Sequence, residues 1–189
     1  MNTIYLLRHS LTAANEQRLY GGSTDSPLTE RGRAIARERY GIIPACDIYV
    51  SSGMARASET LLLMTGHAPD LILPGLREMD FGAFEMKSYA QLKDDPDYLR
   101  WIGDEAGEFR CPGGENMSTF KARALSAGET LLHMAQPTAC VVCHGGVIVN
   151  LMQAWFPRVE RNFYQWQPGP AGGYKITVNG GRPGAFVEV

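Results

Sequence analysis

Basic and imidazole side chains follow three apolar segments of the chain, at the points where those segments end. Arg8 and His9 come directly after the first segment, Arg56 lies a few residues after the second, and His144 follows the third. A guanidinium group can bind two phosphate oxygens at once, and an imidazole can attack as a nucleophile or donate a hydrogen bond. If the three segments lie side by side, these four side chains form a pocket for a compact anion, and phosphate fits it best.

Residues close to these four extend the same chemistry. A hydroxyl from Ser10 or Thr12 and the amide of Asn15 follow the first pair, and each could donate to the same anion. Gly145 opens a predicted helix, whose free N–H groups and positive dipole end attract an anion. Glu78 offers a carboxyl group in an otherwise apolar setting. The hypothesis depends on the combination, because each of these residues alone is more often structural.

The elements that must position these residues follow from an alternation of apolar runs and helix-like segments. The apolar runs at residues 3–7, 47–50 and 139–143 are predicted strands, and residues 71–73 indicate another. Helices are predicted at residues 29–40, 55–65, 88–101 (divided at Pro96), 116–134 and 146–155, and a hairpin at residues 174–178 and 185–189. The alternation predicts an α/β fold, a three-layer α/β/α sandwich around a mainly parallel sheet. In such folds ligands bind at the carboxyl ends of the strands, where the four side chains are expected.

Length and composition indicate one ordinary globular domain. The chain has 189 residues, of which 44% are hydrophobic and 20% charged, and no linker or repeat divides it. We therefore expect a single domain over residues 1–189, with the irregular region 78–115 as a capping insertion over the active site. The net charge of -2 provides no basic field for nucleic acid or membrane. The sequence indicates no signal peptide and no membrane span, so we expect a cytoplasmic protein.

The stretch CVVCHGG also contains the C-x-x-C-H motif of c-type haem attachment and the C-x-x-C motif of thiol redox enzymes. Residues three apart in a strand point to opposite faces, so Cys140 and Cys143 would not share a site. Haem attachment also requires export, which nothing in the sequence indicates. The spacing therefore favours a buried strand that delivers His144 to the pocket.

Six motifs, in order along the chain, resemble those of a known family. LLRHSLTAAN is similar to its R-H-G-x-T-x-x-N signature, with Ser10 in place of the glycine, and YGGSTDSPLTERGRAIA to the segment that follows it. SSGMARASET, LREMDFGAFEM, CPGGEN and VVCHGGVI are similar to four further segments. From residue 4 to about residue 150, the chain thus resembles the histidine phosphatase superfamily, also called phosphoglycerate mutase-like. Within that family, residues 81–86 are similar to the α-ribazole phosphatase branch.

The resemblance implies a role for each matching residue. His9 would be the nucleophile that takes the phosphoryl group, and Glu78 would protonate the leaving oxygen and then accept a proton from water. The residues expected to hold the phosphate oxygens are Arg8, Arg56, His144 and Asn15. The other candidate contacts with the substrate are Ser10, Thr12, Gly21, Gly22 and Gly145.

These roles imply hydrolysis of a phosphate monoester through a phosphohistidine. Two guanidiniums, an imidazolium at His144 and helix N–H groups can balance the charge of the transition state, so we expect neither a metal ion nor a cofactor. The expected partner is a small phosphorylated metabolite, and the branch similarity suggests α-ribazole 5'-phosphate. Only four basic residues occur between residues 78 and 115, among many acids, which disfavours a mutase with a second phosphate site. A mutase and a catalytically silent phosphate-binding module are the alternatives.

Aromatic residues are frequent in the same region. They are Phe81, Phe84, Tyr89, Tyr98, Trp101 and Phe109. Either they face a bulky leaving group such as a nucleoside, or they pack the cap onto the sheet.

Overall fold

The computed structural model describes residues 2–189 and contains six strands and eight α-helices among them. The strands are β1 (Asn2–Arg8), β2 (Ile48–Ser51), β3 (Leu71–Ile72), β4 (Thr138–Cys143), β5 (Gly173–Asn179) and β6 (Arg182–Glu188). The helices are α1 (Ala13–Glu16), α2 (Glu30–Glu38), α3 (Ala55–Thr65), α4 (Tyr89–Leu92), α5 (Pro96–Ile102), α6 (Met117–Leu132), α7 (Gly145–Trp155) and α8 (Phe163–Trp166). Two short 3-10 helices lie at Pro74–Leu76 and Gly82–Phe84.

All six strands form one sheet in the order β3-β2-β4-β1-β5-β6. The four strands from β3 to β1 are parallel, and β5 and β6 extend the sheet in antiparallel fashion. The central pair, β1 and β4, runs from Thr3 opposite Thr138 to Arg8 opposite Cys143. The carboxyl ends of β1 and β4 therefore reach the same edge of the sheet together.

Helices cover both faces of the sheet, so each central strand buries side chains on both sides. In β1, Ile4 and Leu6 pack on one face, whereas Tyr5 and Leu7 pack on the other. Helices α6 and α7 contribute to the first core, and α2 and α3 to the second. A sheet covered in this way needs nearly continuous apolar strands, which is what its sequence provides. The predicted α/β/α sandwich is confirmed.

Capping residues set several helix boundaries. The Thr29 side chain accepts a hydrogen bond from the Gly32 N–H and begins α2 at the position that its sequence predicts. Asp95 caps α5, and Pro96 at the first position of that helix separates it from α4. The sequence does not predict α1 and α8, because four residues are too few to show a helical period.

Cys140 and Cys143 lie on opposite faces of β4, as the strand interpretation predicts. Cys140 packs in the core with α2 and α3, and Cys143 in the core with α6 and α7. Both are buried free thiols, and burial raises the pKa of each above its ordinary value. The arrangement excludes a disulfide between them. The role of β4 is to position His144, which follows it.

The region from residue 78 to residue 115 packs against the rest of the chain through its own apolar side chains. Phe84 and Tyr98 are buried in the core that contains α6 and α7, whereas Tyr89 is exposed. Backbone hydrogen bonds join the region to Tyr20, whose N–H donates to Lys87 and whose carbonyl accepts from Met86. Within residues 2–189, no helix has the length and apolar character needed to cross a membrane.

Candidate active site

The ends of β1 and β4 bring two histidines together. The His9 N–H donates to the Cys143 carbonyl oxygen at 2.9 Å, which continues the pairing of the two strands by one step. The rings of His9 and His144 lie with their centroids 5.1 Å apart. Two residues separated by most of the chain therefore share one site because their strands are parallel neighbours.

His9 has one ring nitrogen engaged and one unengaged. Its Nδ1–H donates to the carbonyl oxygen of Ser10 at 2.6 Å, which leaves Nε2 with a lone pair. Burial, followed by the positive charges of Arg56 and Arg8, lowers the pKa of His9 to about 3. The imidazole is therefore neutral near pH 7, as a nucleophile must be.

His144 is completely buried at the start of α7. Its Nε2 lies 2.8 Å from the Ser52 hydroxyl oxygen, and its Nδ1 has no hydrogen-bond partner among the described residues. Burial, followed by electrostatic interactions with His9 and Arg56, lowers the pKa of His144 well below its ordinary value. The imidazolium expected from the sequence is therefore disfavoured in the free protein, where the ring is neutral.

The two arginines occupy different settings. Arg8 is half-buried and donates from Nη1 to the Pro168 carbonyl oxygen at 2.9 Å. Arg56 is buried and donates to the carbonyl oxygens of Gly22, at 2.7 Å, and Thr24, at 2.9 Å. Burial lowers the pKa of both arginines, and the charge of Glu78 opposes that effect. Both remain cations near pH 7, because arginine keeps its proton in proteins.

Glu78, which lies between the two 3-10 helices, reaches the start of α7. Its Oε2 accepts a hydrogen bond from the Gly146 N–H at 2.9 Å, and its Oε1 accepts one from its neighbour Met79 at 3.1 Å. Burial raises the pKa of Glu78, whereas the two hydrogen bonds and the charges of Arg56 and Arg8 act against that rise. Gly146 permits the contact, because a Cβ there would come within 2.6 Å of the Glu78 carboxylate.

A cavity of about 650 Å³ is lined by Arg8 and Glu78, whereas His9, Arg56 and His144 are not among its described lining residues. Arg8, Asn15, Gly21, Glu78 and Gly146 contribute polar groups to its wall. The aromatic residues that line the cavity are Tyr20, Phe81, Trp101, Phe120, Phe163 and Tyr164. Among the described residues that line the cavity, Arg8 is the only basic one. Of the six aromatics in the region 78–115, Phe81 and Trp101 face this cavity, whereas Phe84 and Tyr98 belong to the core.

The expected contacts from Ser10 and Thr12 require correction. The Ser10 hydroxyl is fully buried and donates to the Gly32 carbonyl oxygen at 2.7 Å. The Thr12 hydroxyl is buried as well, donates to Asn15 Oδ1 at 3.0 Å and caps α1. Neither hydroxyl is turned to the cavity, because each is used to hold the backbone that carries His9.

The other predicted contacts differ in what they offer to an anion. The Asn15 Oδ1 accepts from Thr12, and Asn15 lines the cavity with an amide NH₂ that donates to no other described residue. Gly21 lines the cavity, but the Gly22 N–H already donates to Glu85 at 3.1 Å. Gly145 is the first residue of α7, where a backbone N–H has no partner within the helix.

Comparison with known proteins agrees with this geometry. The model of the histidine phosphatase superfamily (branch 1) matches residues 4–187. The chain belongs to the histidine phosphatase superfamily. It is 36% identical to the adenosylcobalamin/alpha-ribazole phosphatase of Salmonella typhimurium (strain LT2), over 84% of this chain and 86% of that protein. It is 28% identical to the probable phosphoglycerate mutase GpmB of Enterobacter sp. (strain 638), over 95% of this chain and 93% of that protein.

A solved structure extends the likeness to the whole fold of this histidine phosphatase. The crystal structure of phosphoglycerate mutase from Thermus thermophilus superposes with a TM-score of 0.76 at 30% identity and covers 99% of both chains. The family that the six motifs indicated is therefore confirmed, and so is the conclusion that the protein is an enzyme. Among residues 2–189 of this histidine phosphatase, no group of three or more His, Cys, Asp or Glu side chains is arranged to hold a metal ion.

Sequence reasoning missed three residues that contact the site, namely Ser52, Asn150 and Gln167. Ser52 contacts His144, yet the two are 92 positions apart and the pair Ser51-Ser52 alone predicts a turn. Asn150 lines the cavity and donates to the Gly146 carbonyl oxygen at 2.8 Å. Gln167 also lines the cavity and approaches Gly145 so closely that a Cβ there would lie 2.5 Å from its amide nitrogen. Only the position of Ser52 within a family-like motif could have directed attention to it.

Proposed function

We propose that this histidine phosphatase hydrolyses a small phosphate monoester through a phosphohistidine formed on His9, without a metal ion. The observation that carries the proposal is the state of His9: burial and the charges of Arg56 and Arg8 keep its ring neutral, its Nδ1–H donates to a backbone carbonyl, and its Nε2 has no hydrogen-bond partner among the described residues. Arg8, Arg56, His144, Asn15 and the start of α7 supply the positive charge and the donors for the phosphoryl oxygens.

The reaction proceeds in two displacements. In the first, the Nε2 lone pair of His9 forms a bond to phosphorus, the bond to the ester oxygen breaks, and Glu78 gives its proton to that oxygen. In the second, Glu78 takes a proton from a water molecule, the oxygen of that water bonds to phosphorus, and the bond from phosphorus to His9 breaks. Inorganic phosphate leaves, and both residues return to their starting states.

The charge of the cavity supports hydrolysis over phosphoryl transfer between two phosphorylated sites. A mutase must hold a second phosphate, which requires further cations. The basic residues of the region that we propose as the cap, residues 78–115, are Lys87, Lys93, Arg100 and Arg110, and none of them lines the cavity. Asp104, which does line it, would repel an acidic leaving group. The likeness to phosphoglycerate mutases keeps a mutase as the second candidate.

The aromatic wall of the cavity supports a leaving group with a flat apolar part. Phe81 and Trp101 lie with their ring centroids 5.7 Å apart, and Tyr20 packs edge-on against both. Such rings favour an aromatic base over a short acid. Together with the likeness to the Salmonella phosphatase, they make α-ribazole 5'-phosphate the substrate that we propose to test first.

The test compares the wild type and His9→Ala on p-nitrophenyl phosphate, α-ribazole 5'-phosphate and 3-phosphoglycerate, each with and without EDTA. We expect turnover of the first two by the wild type, no effect of EDTA, and no turnover by the variant. After rapid quenching, a radioactive phosphate ester should leave a phosphoryl label on His9. This label should survive base and be lost in acid, as expected of a phosphohistidine. His133→Ala, which changes an exposed histidine, is the matched control. Retained turnover in His9→Ala would refute the mechanism, and isomerisation of 3-phosphoglycerate would favour the mutase.

A further inference from the structure

The two ring nitrogens of His144 have different surroundings. Nε2 lies 2.8 Å from the Ser52 hydroxyl oxygen. Nδ1 is fully buried and has no partner among the described residues. A neutral imidazole carries one proton, so the hydrogen bond at one nitrogen decides which nitrogen donates.

The Ser52 hydroxyl is placed to donate rather than to accept. It is fully buried, so no bulk solvent competes for its proton. Its oxygen already accepts a hydrogen bond from the Met54 N–H at 3.3 Å. Among the described residues, Nε2 of His144 is the only acceptor within reach of the hydroxyl proton, so this buried proton has a partner only if Nε2 accepts it.

We propose that Ser52 is a positioning residue that donates its proton to Nε2 of His144 and so fixes the proton of that ring on Nδ1. Nδ1–H is then a neutral donor to a phosphoryl oxygen of the substrate. In the other tautomer, Nδ1 would present a lone pair, which repels the oxygens of an anion. The consequence for turnover rests on the proposed function, but the tautomer itself does not.

The neighbouring serine provides a matched control. Ser51 is equally buried, and its hydroxyl pairs with Ser58 at 2.9 Å and accepts from the Gly53 N–H at 3.1 Å. Neither of these hydrogen bonds involves His144. Ser51→Ala therefore removes a buried hydroxyl from the same strand end without touching the ring.

The first measurement is a long-range proton–nitrogen NMR spectrum of the full-length, nitrogen-15-labelled wild type, with the His144 signals assigned by their loss in His144→Asn. We expect the pattern of a neutral ring protonated on Nδ1. A ring protonated on Nε2 overturns the proposal. This measurement needs no substrate and no activity, so it holds even if His9→Ala shows that the proposed function is wrong.

The second measurement is the kinetics of Ser52→Ala on p-nitrophenyl phosphate, together with the same spectrum. We expect the His144 signals to shift towards a mixture of tautomers and kcat/KM to fall about tenfold, the size of effect expected for one buried hydrogen bond. Ser51→Ala should keep both the tautomer and the rate. An unchanged tautomer in Ser52→Ala, or an equal loss of rate in the two variants, overturns the proposal. If Ser52→Ala does not fold, the wild-type spectrum alone decides.

Discussion

Burial shifts the pKa values of His9 and Glu78 in opposite directions, and the proposed reaction uses both shifts. For His9, burial and the two arginines act together and keep the ring neutral. For Glu78, burial favours the protonated acid, although the same arginines and two backbone N–H groups oppose it. Burial therefore favours the neutral form of both groups. A neutral imidazole can attack as a nucleophile, and a neutral carboxylic acid can donate a proton.

Glu78→Gln should slow the cleavage of poor leaving groups far more than that of good ones. A glutamine can still accept from the Gly146 N–H, but it cannot supply a proton. An alkyl leaving group needs that proton, whereas p-nitrophenolate leaves without it. We expect kcat/KM to fall by roughly 10² to 10⁴ for an alkyl phosphate and by less than about tenfold for p-nitrophenyl phosphate. Glu59→Gln, a change away from the cavity, is the control, and equal losses on both substrates would contradict the role of general acid.

The sequence predicted the site residues that follow strand ends. It did not predict the residues whose side chains hydrogen-bond to them. Arg8 and His9 reach the site because β1 is a central parallel strand, which its apolar run indicates. Ser10 was expected as a second donor, but the next residue in an extended segment points to the other side and bonds to Gly32. Ser52 stayed hidden because its partner is known only once β2 and β4 are paired.

At the scale of the elements, one carboxylate holds the loop at residues 22–24, which Arg56 contacts. Glu85 accepts hydrogen bonds from four backbone N–H groups, and three of these belong to consecutive residues of the loop. The donors are Gly22, Ser23, Thr24 and Phe81. Arg56 binds the carbonyl oxygens of the same loop. The loop is therefore held between the region 78–115 and α3, and the position of the Arg56 guanidinium depends on both.

Glu85→Gln should loosen this loop and weaken catalysis. The amide nitrogen of glutamine donates and cannot accept, so two of the four N–H groups lose their acceptor, and at least one of these two belongs to the loop. We expect hydrogen exchange at residues 22–24 to accelerate about tenfold or more, and kcat/KM for p-nitrophenyl phosphate to fall about tenfold. Amides of β1 and β4 should keep their protection. Glu59→Gln, which changes a half-buried carboxylate paired with Arg33, should leave both readouts unchanged. Unaltered exchange at residues 22–24 in Glu85→Gln would contradict the conclusion that Glu85 holds this loop.

At the scale of the whole molecule, the alternation of strands and helices predicted the layers but not the order of the strands. The parallel core and the C-terminal hairpin follow from apolar runs and turn residues. The position of β4 between β2 and β1 depends on packing between distant segments, which no local pattern encodes. That position is nevertheless what brings His144 beside His9.

The same central arrangement should make the fold sensitive to acid. The folded protein keeps His9 neutral down to a pKa of about 3, whereas the unfolded chain binds a proton at the ordinary value near 6.5. Between these values the unfolded state holds more protons, so the free energy of unfolding falls as the pH falls, by up to about 1.4 kcal/mol per pH unit for this residue. His144 acts in the same direction.

Urea unfolding between pH 4 and pH 6.5 measures this effect. The free energy of unfolding should depend less steeply on pH in His9→Asn than in the wild type, by about 1 kcal/mol per pH unit. His133→Asn, at an exposed position, should keep the wild-type slope. A slope in His9→Asn as steep as that of the wild type would mean that His9 takes up its proton in the folded state, and then it could not be the neutral nucleophile that follows β1.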